Sequence, residues 1–209
     1  MTENKGLKTE EQRIGELALR TAQWCNACLY QFRRFVDAIE RDDGKEPWDQ
    51  DENISLLHAE SMFLITAVYQ TICYLEALQT TLQKKGDVSL NPILNAVAPK
   101  NEREKIRHWR NTNEHERDYI QGTGKEQTKT RNPDAFLSKF FVGVTDGMIY
   151  INGTTKEFYL GCIRIDHLIS RIKENRPAIL KRTKEIFYTC YYGIVPQNEG
   201  SYLPREEQP

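Results

Sequence analysis

Apolar residues recur at helical spacing through two long stretches, and few folds can bury both. In residues 9–41, Leu17, Trp24, Cys28, Leu29, Phe32, Phe35, Val36 and Ile39 fall on one helical face. Gly44 and Pro47 end that helix. In residues 52–84, Leu56, Leu57, Leu64, Val68, Ile72, Leu75, Leu78 and Leu82 mark a second buried side, and Gly86 caps its end. Two such helices with a short polar link predict an antiparallel hairpin about 45–50 Å long. A shorter element is expected at Pro92–Val97. Pro99 then opens a helix near Asn101 that runs to Tyr119 and stops at Gly122 and Gly124.

After a polar, basic loop at residues 123–135 the pattern changes. Phe140–Val144, Met148–Ile151 and Glu157–Ile163 are β-rich runs separated by Asp146-Gly147 and Asn152-Gly153, dipeptides that favour tight hairpins. They predict a small antiparallel β meander, at about residues 136–165, inserted into a helical protein. A last helix is expected from Asp166 to about Tyr191, kinked or restarted at Pro177. The whole reads as a mainly α antiparallel bundle, one domain over residues 1–192, with a disordered tail over 193–209.

The chain is 39% hydrophobic and 28% charged, enough to bury a core. Its net charge of -1 conceals an asymmetry. Residues 1–98 hold 10 Lys and Arg against 15 Asp and Glu, whereas residues 99–184 hold 18 against 11. A cationic surface on the second segment would attract a polyanion; ordinary surface charge divided unevenly is the plainer account. The start at Met1 lacks a basic-then-apolar leader, and no apolar run is expected to approach the roughly 20 residues of a membrane-spanning helix. The five cysteines are odd in number and mostly lie in apolar helical contexts. A reduced, cytoplasmic protein with no membrane partner is the expectation.

Several chemical classes find no motif. There is no phosphate-cradling Gly-rich loop, no G-x-S-x-G and no H-E-x-x-H. Cys25-Asn26-Ala27-Cys28 is a C-x-x-C without a second ligand pair, and packing explains it better than zinc. Glu60 and Glu76 lie in the apolar second helix; either could be a buried carboxylate that orients a catalytic group, but solvent-facing or rim positions are expected for both, because an unpaired buried carboxylate is costly. His58 and His167 are expected at the surface or at helix ends.

Arg110-Asn111-Thr112-Asn113-Glu114-His115 is different. Arginine offers a fixed cationic fork for phosphate. Histidine exchanges protons near neutrality. Asn-Thr-Asn in mid-segment is helix-poor and locally unfavourable, as functional sites often are. Trp109 and Tyr119 flank the run and could pack it on the long helices or stack bases. Five positions along a helix turn about 140° beyond one full turn. The two side chains therefore converge only where the helix ends or bends, or where a second copy completes the pocket.

Arg110, Asn111 and His115 match in order and spacing the signature of the HEPN superfamily (higher eukaryotes and prokaryotes nucleotide-binding), and the chain resembles its helical RNases. The longer run through Glu114, Asp118, Tyr119 and Gly122 resembles a pattern in bacterial HEPN-like proteins. The resemblance implies a HEPN-type bundle and a metal-independent endoribonuclease, with no cofactor, in a bacterial defence or toxin–antitoxin context. His115 would act as base on a ribose 2′-hydroxyl, leaving a 2′,3′-cyclic phosphate. Arg110 would hold the non-bridging oxygens and Asn111 would orient Arg110 or the phosphate, with Glu114 and Tyr119 in support. Arg107, Arg117, Lys125, Lys129 and Arg131 would hold the RNA backbone. A face-to-face homodimer is expected, with an antitoxin or regulatory protein as a further partner. HEPN toxins controlled by a nucleotidyltransferase antitoxin often carry a Tyr two positions after the His; here that position is Arg117. The rival reading is a non-catalytic helical module that binds a partner protein or RNA.

Overall fold

A computed structural model describes residues 8–41, 53–114, 151–152, 155–156, 158–160 and 163–193. It is mainly α, with five helices packed together: α1 (Glu10–Arg41), α2 (Asn53–Gln83), α3 (Asn91–Val97), α4 (Lys100–Glu114) and α5 (Ile165–Tyr192). The helix expected to reach Tyr119 is described as far as Glu114. The residues beyond it, the basic loop and the tail lie outside the described residues.

The two long helices form as their apolar spacing predicts, and cross-helix contacts fix their direction. Thr71 Oγ1 donates to the Trp24 carbonyl at 3.0 Å, and Arg34 Nε donates to Glu60 at 3.1 Å. Low numbers on α1 thus meet high numbers on α2, so the pair is antiparallel. The α1 stripe centres on Ile14, Ala18, Cys25, Cys28, Phe35 and Ala38. The larger residues Leu17, Trp24, Leu29, Phe32, Val36 and Ile39 pack along its edges, half-buried. Small residues at the centre let α2 and α5 approach closely. At Gly15 an added Cβ would lie 2.5 Å from the Tyr191 ring, so glycine admits that contact.

α2 is buried on most sides, and by length and composition alone Ala59–Gln83 could cross a membrane. That corrects the sequence expectation that no stretch approaches this length. Here Leu64, Ile65, Val68, Ile72, Leu75 and Leu78 are buried within the helical core. α2 ends at a turn containing Gly86, whose φ of 82° suits glycine.

α5 runs antiparallel to α1, since Arg176 Nε donates to Asn26 Oδ1 at 2.8 Å while Tyr191 lies on Gly15. It continues through Pro177 as one helix and does not restart there. Proline withholds an N–H from the Lys173 carbonyl. Pro177 is exposed, and Ile172 and Ile179 are buried on either side of it, so packing holds the helix across the gap. Gly193 closes the helix in the left-handed conformation, donating to the Thr189 carbonyl at 3.1 Å.

The β meander is not found among the described residues. Four two-residue strands form two separate antiparallel ladders: β1 (Ile151–Asn152) with β2 (Thr155–Lys156), and β3 (Tyr159–Leu160) with β4 (Ile163–Arg164). Phe140–Val144 lies outside the described residues. Glu157–Ile163, read as one strand, instead pairs Leu160 with Ile163. Asn152, read as a turn residue, is paired with Thr155.

Phe158 anchors this region to α1, edge-on to Phe32 and Phe35 at 6.0 and 6.3 Å between ring centroids. Asp166, in the first turn of α5, accepts from the Phe158 N–H at 3.3 Å and from Arg164 Nε at 3.2 Å.

Candidate functional site

Three residues of α2 and three of α4 face one another at matching spacing. Tyr69, Cys73 and Glu76 occupy positions i, i+4 and i+7 of α2; Arg103, Arg107 and Arg110 occupy the same positions of α4. Such residues share one helical face. Arg103 Nε lies 3.3 Å from Glu76, and Arg107 is also ion-paired with Glu76. At the other end Arg110 lies over the Tyr69 ring, its guanidinium carbon 4.8 Å from the centroid, a cation–π contact. The two helices are therefore antiparallel here.

Beneath this polar stripe Ile106 and Trp109 are fully buried and fasten α4 to the core. Of the two sequence readings of Trp109, packing holds, and a fully buried ring has no face to offer a base.

Arg110 is half-buried and Asn111 exposed. Arg110 Nη1 donates to Asn111 Oδ1 at 3.1 Å. The Tyr69 phenol is held above its ordinary value, first by its hydrogen bond with Cys73 and then by burial, while Arg110 and Arg107 pull it the other way. The result is a guanidinium fixed between an aromatic face and an amide at the described end of α4. A planar guanidinium has the fork geometry that phosphate recognition uses.

Arg107 is partly exposed, with its charge offset by Glu76. Its guanidinium is held in the cationic form chiefly by the hydrogen bond to that carboxylate. Glu76 sits at the rim, as expected. Glu60 does not: it is only 2% exposed. Arg34 and Gln31 reach it from α1, which satisfies both carboxylate oxygens and makes burial tolerable. The sequence reading weighed Glu60 without a partner because its cation lies 26 positions away.

The remaining expected site residues divide simply. His115, Arg117, Tyr119, Lys125, Lys129 and Arg131, and the side chains of Glu114 and His58, lie outside the described residues. His167 is exposed in the first turn of α5, as expected. Tyr69 and Cys73 were missed. The signal was present in the matched seven-residue spacing of α2 and α4, but recognising it requires knowing that these helices are neighbours.

Cys25 and Cys28 are fully buried, consistent with packing, and no metal-holding cluster occurs among the described residues. Burial pushes the Cys25 thiol up to about 11 from 9.0, and raises Cys28 further. A raised folded-state value means the fold prefers the neutral thiol. That stabilisation is complete below about pH 9 and fades as pH rises towards 11. For Cys25 it amounts to about 2–3 kcal/mol. Urea unfolding across this window should show wild-type stability falling more steeply than that of Cys25→Ser. Parallel curves would refute the linkage.

No protein-family model, curated protein or solved structure matches the chain.

Proposed function

We propose that the chain is a metal-independent endoribonuclease of HEPN type. The observation that carries the reading is Arg110, held between Tyr69 and Asn111 at the described end of α4, five positions before the one histidine of the motif. The antiparallel long helices that precede the motif support a HEPN-type bundle.

In this mechanism neutral His115 takes the proton of a ribose 2′-hydroxyl, and the alkoxide attacks the adjacent phosphorus. The bond to the 5′-oxygen breaks as a second proton donor protonates it, leaving a 2′,3′-cyclic phosphate. Arg110 stabilises the charge developing on the non-bridging oxygens. Asn111 keeps the guanidinium in register, with Glu114 and Tyr119 in support. Arg107, Arg117, Lys125, Lys129 and Arg131 hold the backbone of the strand. One subunit brings one motif histidine, whereas the reaction needs both a base and an acid. A two-fold homodimer with facing motifs supplies both.

The purified protein is expected to cleave single-stranded RNA in excess EDTA and to spare DNA of the same sequence, which lacks the 2′-hydroxyl. Cleavage of both substrates at equal rates would defeat the mechanism. Intact RNA together with stoichiometric capture of a partner protein would favour the non-catalytic module.

A further inference from the structure

Between α1 and α5 lies a half-open groove of about 750 Å³, a size suited to a small ligand or a short length of chain. Arg33 enters it from α1, Lys173 and Arg176 from α5, and no carboxylate lines it. Most arginines at helix contacts are paired: Arg34 with Glu60, Arg103 and Arg107 with Glu76, Arg171 with Glu102, Arg182 with Asp87. Among the described residues none of the three groove cations has a carboxylate within ion-pair distance. Asp37 and Glu174, on the same helices, are exposed and do not line the groove.

Two aromatic rings stand among these charges. Tyr30, one turn before Arg33, is 62% exposed, and Phe32 is half-buried beside it. Arg176 is braced by its bond to Asn26 across the groove. Ser170, Lys173 and Arg176 rise about 9 Å along one side of α5. Cations that track a backbone, interleaved with an open aromatic face, are the two elements of single-strand nucleic-acid recognition. An acidic peptide would use the cations alone and leave Tyr30 without a role. A duplex is too wide for a cleft between two adjacent helices.

We propose that the α1–α5 groove is a binding site for single-stranded nucleic acid, with backbone phosphates on Arg33, Lys173 and Arg176 and a base against Tyr30. It shares no lining residue with α2 or α4. It provides a strand-holding surface for the proposed cleavage without depending on it.

Fluorescence anisotropy with a labelled single-stranded oligoribonucleotide, in EDTA and in a His115→Ala background, tests the site. Arg33→Gln/Lys173→Gln/Arg176→Gln should weaken binding by roughly ten-fold or more and reduce the slope of log K against log salt by about 2. Tyr30→Ala should weaken it by roughly five-fold or more. Arg33→Gln/Lys173→Gln, which keeps the Asn26 bond, covers the case in which the triple variant fails to fold; circular dichroism melting decides that. Wild-type affinity and salt slope in a folded charge variant would overturn the proposal. So would full displacement by polyglutamate with Tyr30→Ala silent, which marks an acidic-protein surface. Saturation by a mononucleotide as readily as by a strand would overturn it too. The two proposals fail separately: no cleavage by the wild type with groove binding intact removes only the nuclease, and cleavage with normal binding by the charge variant removes only the groove.

Discussion

His115→Ala should lower the rate of RNA cleavage by roughly 10²- to 10⁴-fold, the usual worth of a positioned general base. In the proposed mechanism the proton on the 2′-hydroxyl is the obstacle, and no other motif residue exchanges protons near neutrality as readily. Arg110→Ala should also suppress cleavage, for a different reason. In the proposed mechanism it removes the charge that would meet the developing negative oxygens, and Arg110→Lys should restore little, because an ammonium lacks the planar fork. Neither change is expected to alter the unfolding midpoint much. Arg110 does hold a contact with Tyr69, but a partly exposed cation–π pair contributes only about 0.5–1 kcal/mol. Single-turnover cleavage assays beside urea titrations separate the two effects. Wild-type rates in a folded His115→Ala protein would remove histidine from the mechanism.

Trp109→Ala, one position before that arginine, should do the opposite and cost about 3–5 kcal/mol of stability. Trp109 is fully buried and, with Ile106, provides the apolar grip of α4 on the core. Against a total of roughly 5–15 kcal/mol, that loss brings a domain near its threshold. Trp109→Phe should recover a good part of it. Any loss of cleavage in Trp109→Ala should then track the unfolded fraction and be reversed by cooling or by a stabilising co-solvent, whereas the loss in His115→Ala should not. An alanine variant that unfolds within about 1 kcal/mol of the wild type would show that α4 is held by its ion pairs instead.

These neighbouring positions show why the candidate site was only partly legible in the sequence. The order Arg110, Asn111, His115 is a local pattern, and so is the polar contact between Arg110 and Asn111, which are adjacent on one helix. The Tyr69 platform and the Glu76 counter-charge lie on another helix, and nothing local announces them. Glu60 shows the same limit in sharper form. A carboxylate within an apolar run reads as a rim residue until Arg34 and Gln31 are known to reach it. Short strands are the least legible elements in the sequence. Two-residue ladders carry almost no periodicity, so the β-rich composition of Glu157–Ile163 does not show that Leu160 pairs with Ile163.

By itself the sequence determined α1, α2 and α5 nearly to their ends, the start of α4 and a short element where α3 lies, because helical periodicity, glycine caps and proline starts act within a few residues of one another. It also set apart the Arg110–His115 run by residue type and spacing, on which the proposed chemistry rests. Only the tertiary structure decided which faces meet: that α4 lies on α2 and brings Arg110 to Tyr69, that Glu60 is buried with its cation, and that Arg33, Lys173 and Arg176 line one groove. Partners of that kind are separated by tens of residues along the chain, and their free energy exists only once the helices have docked.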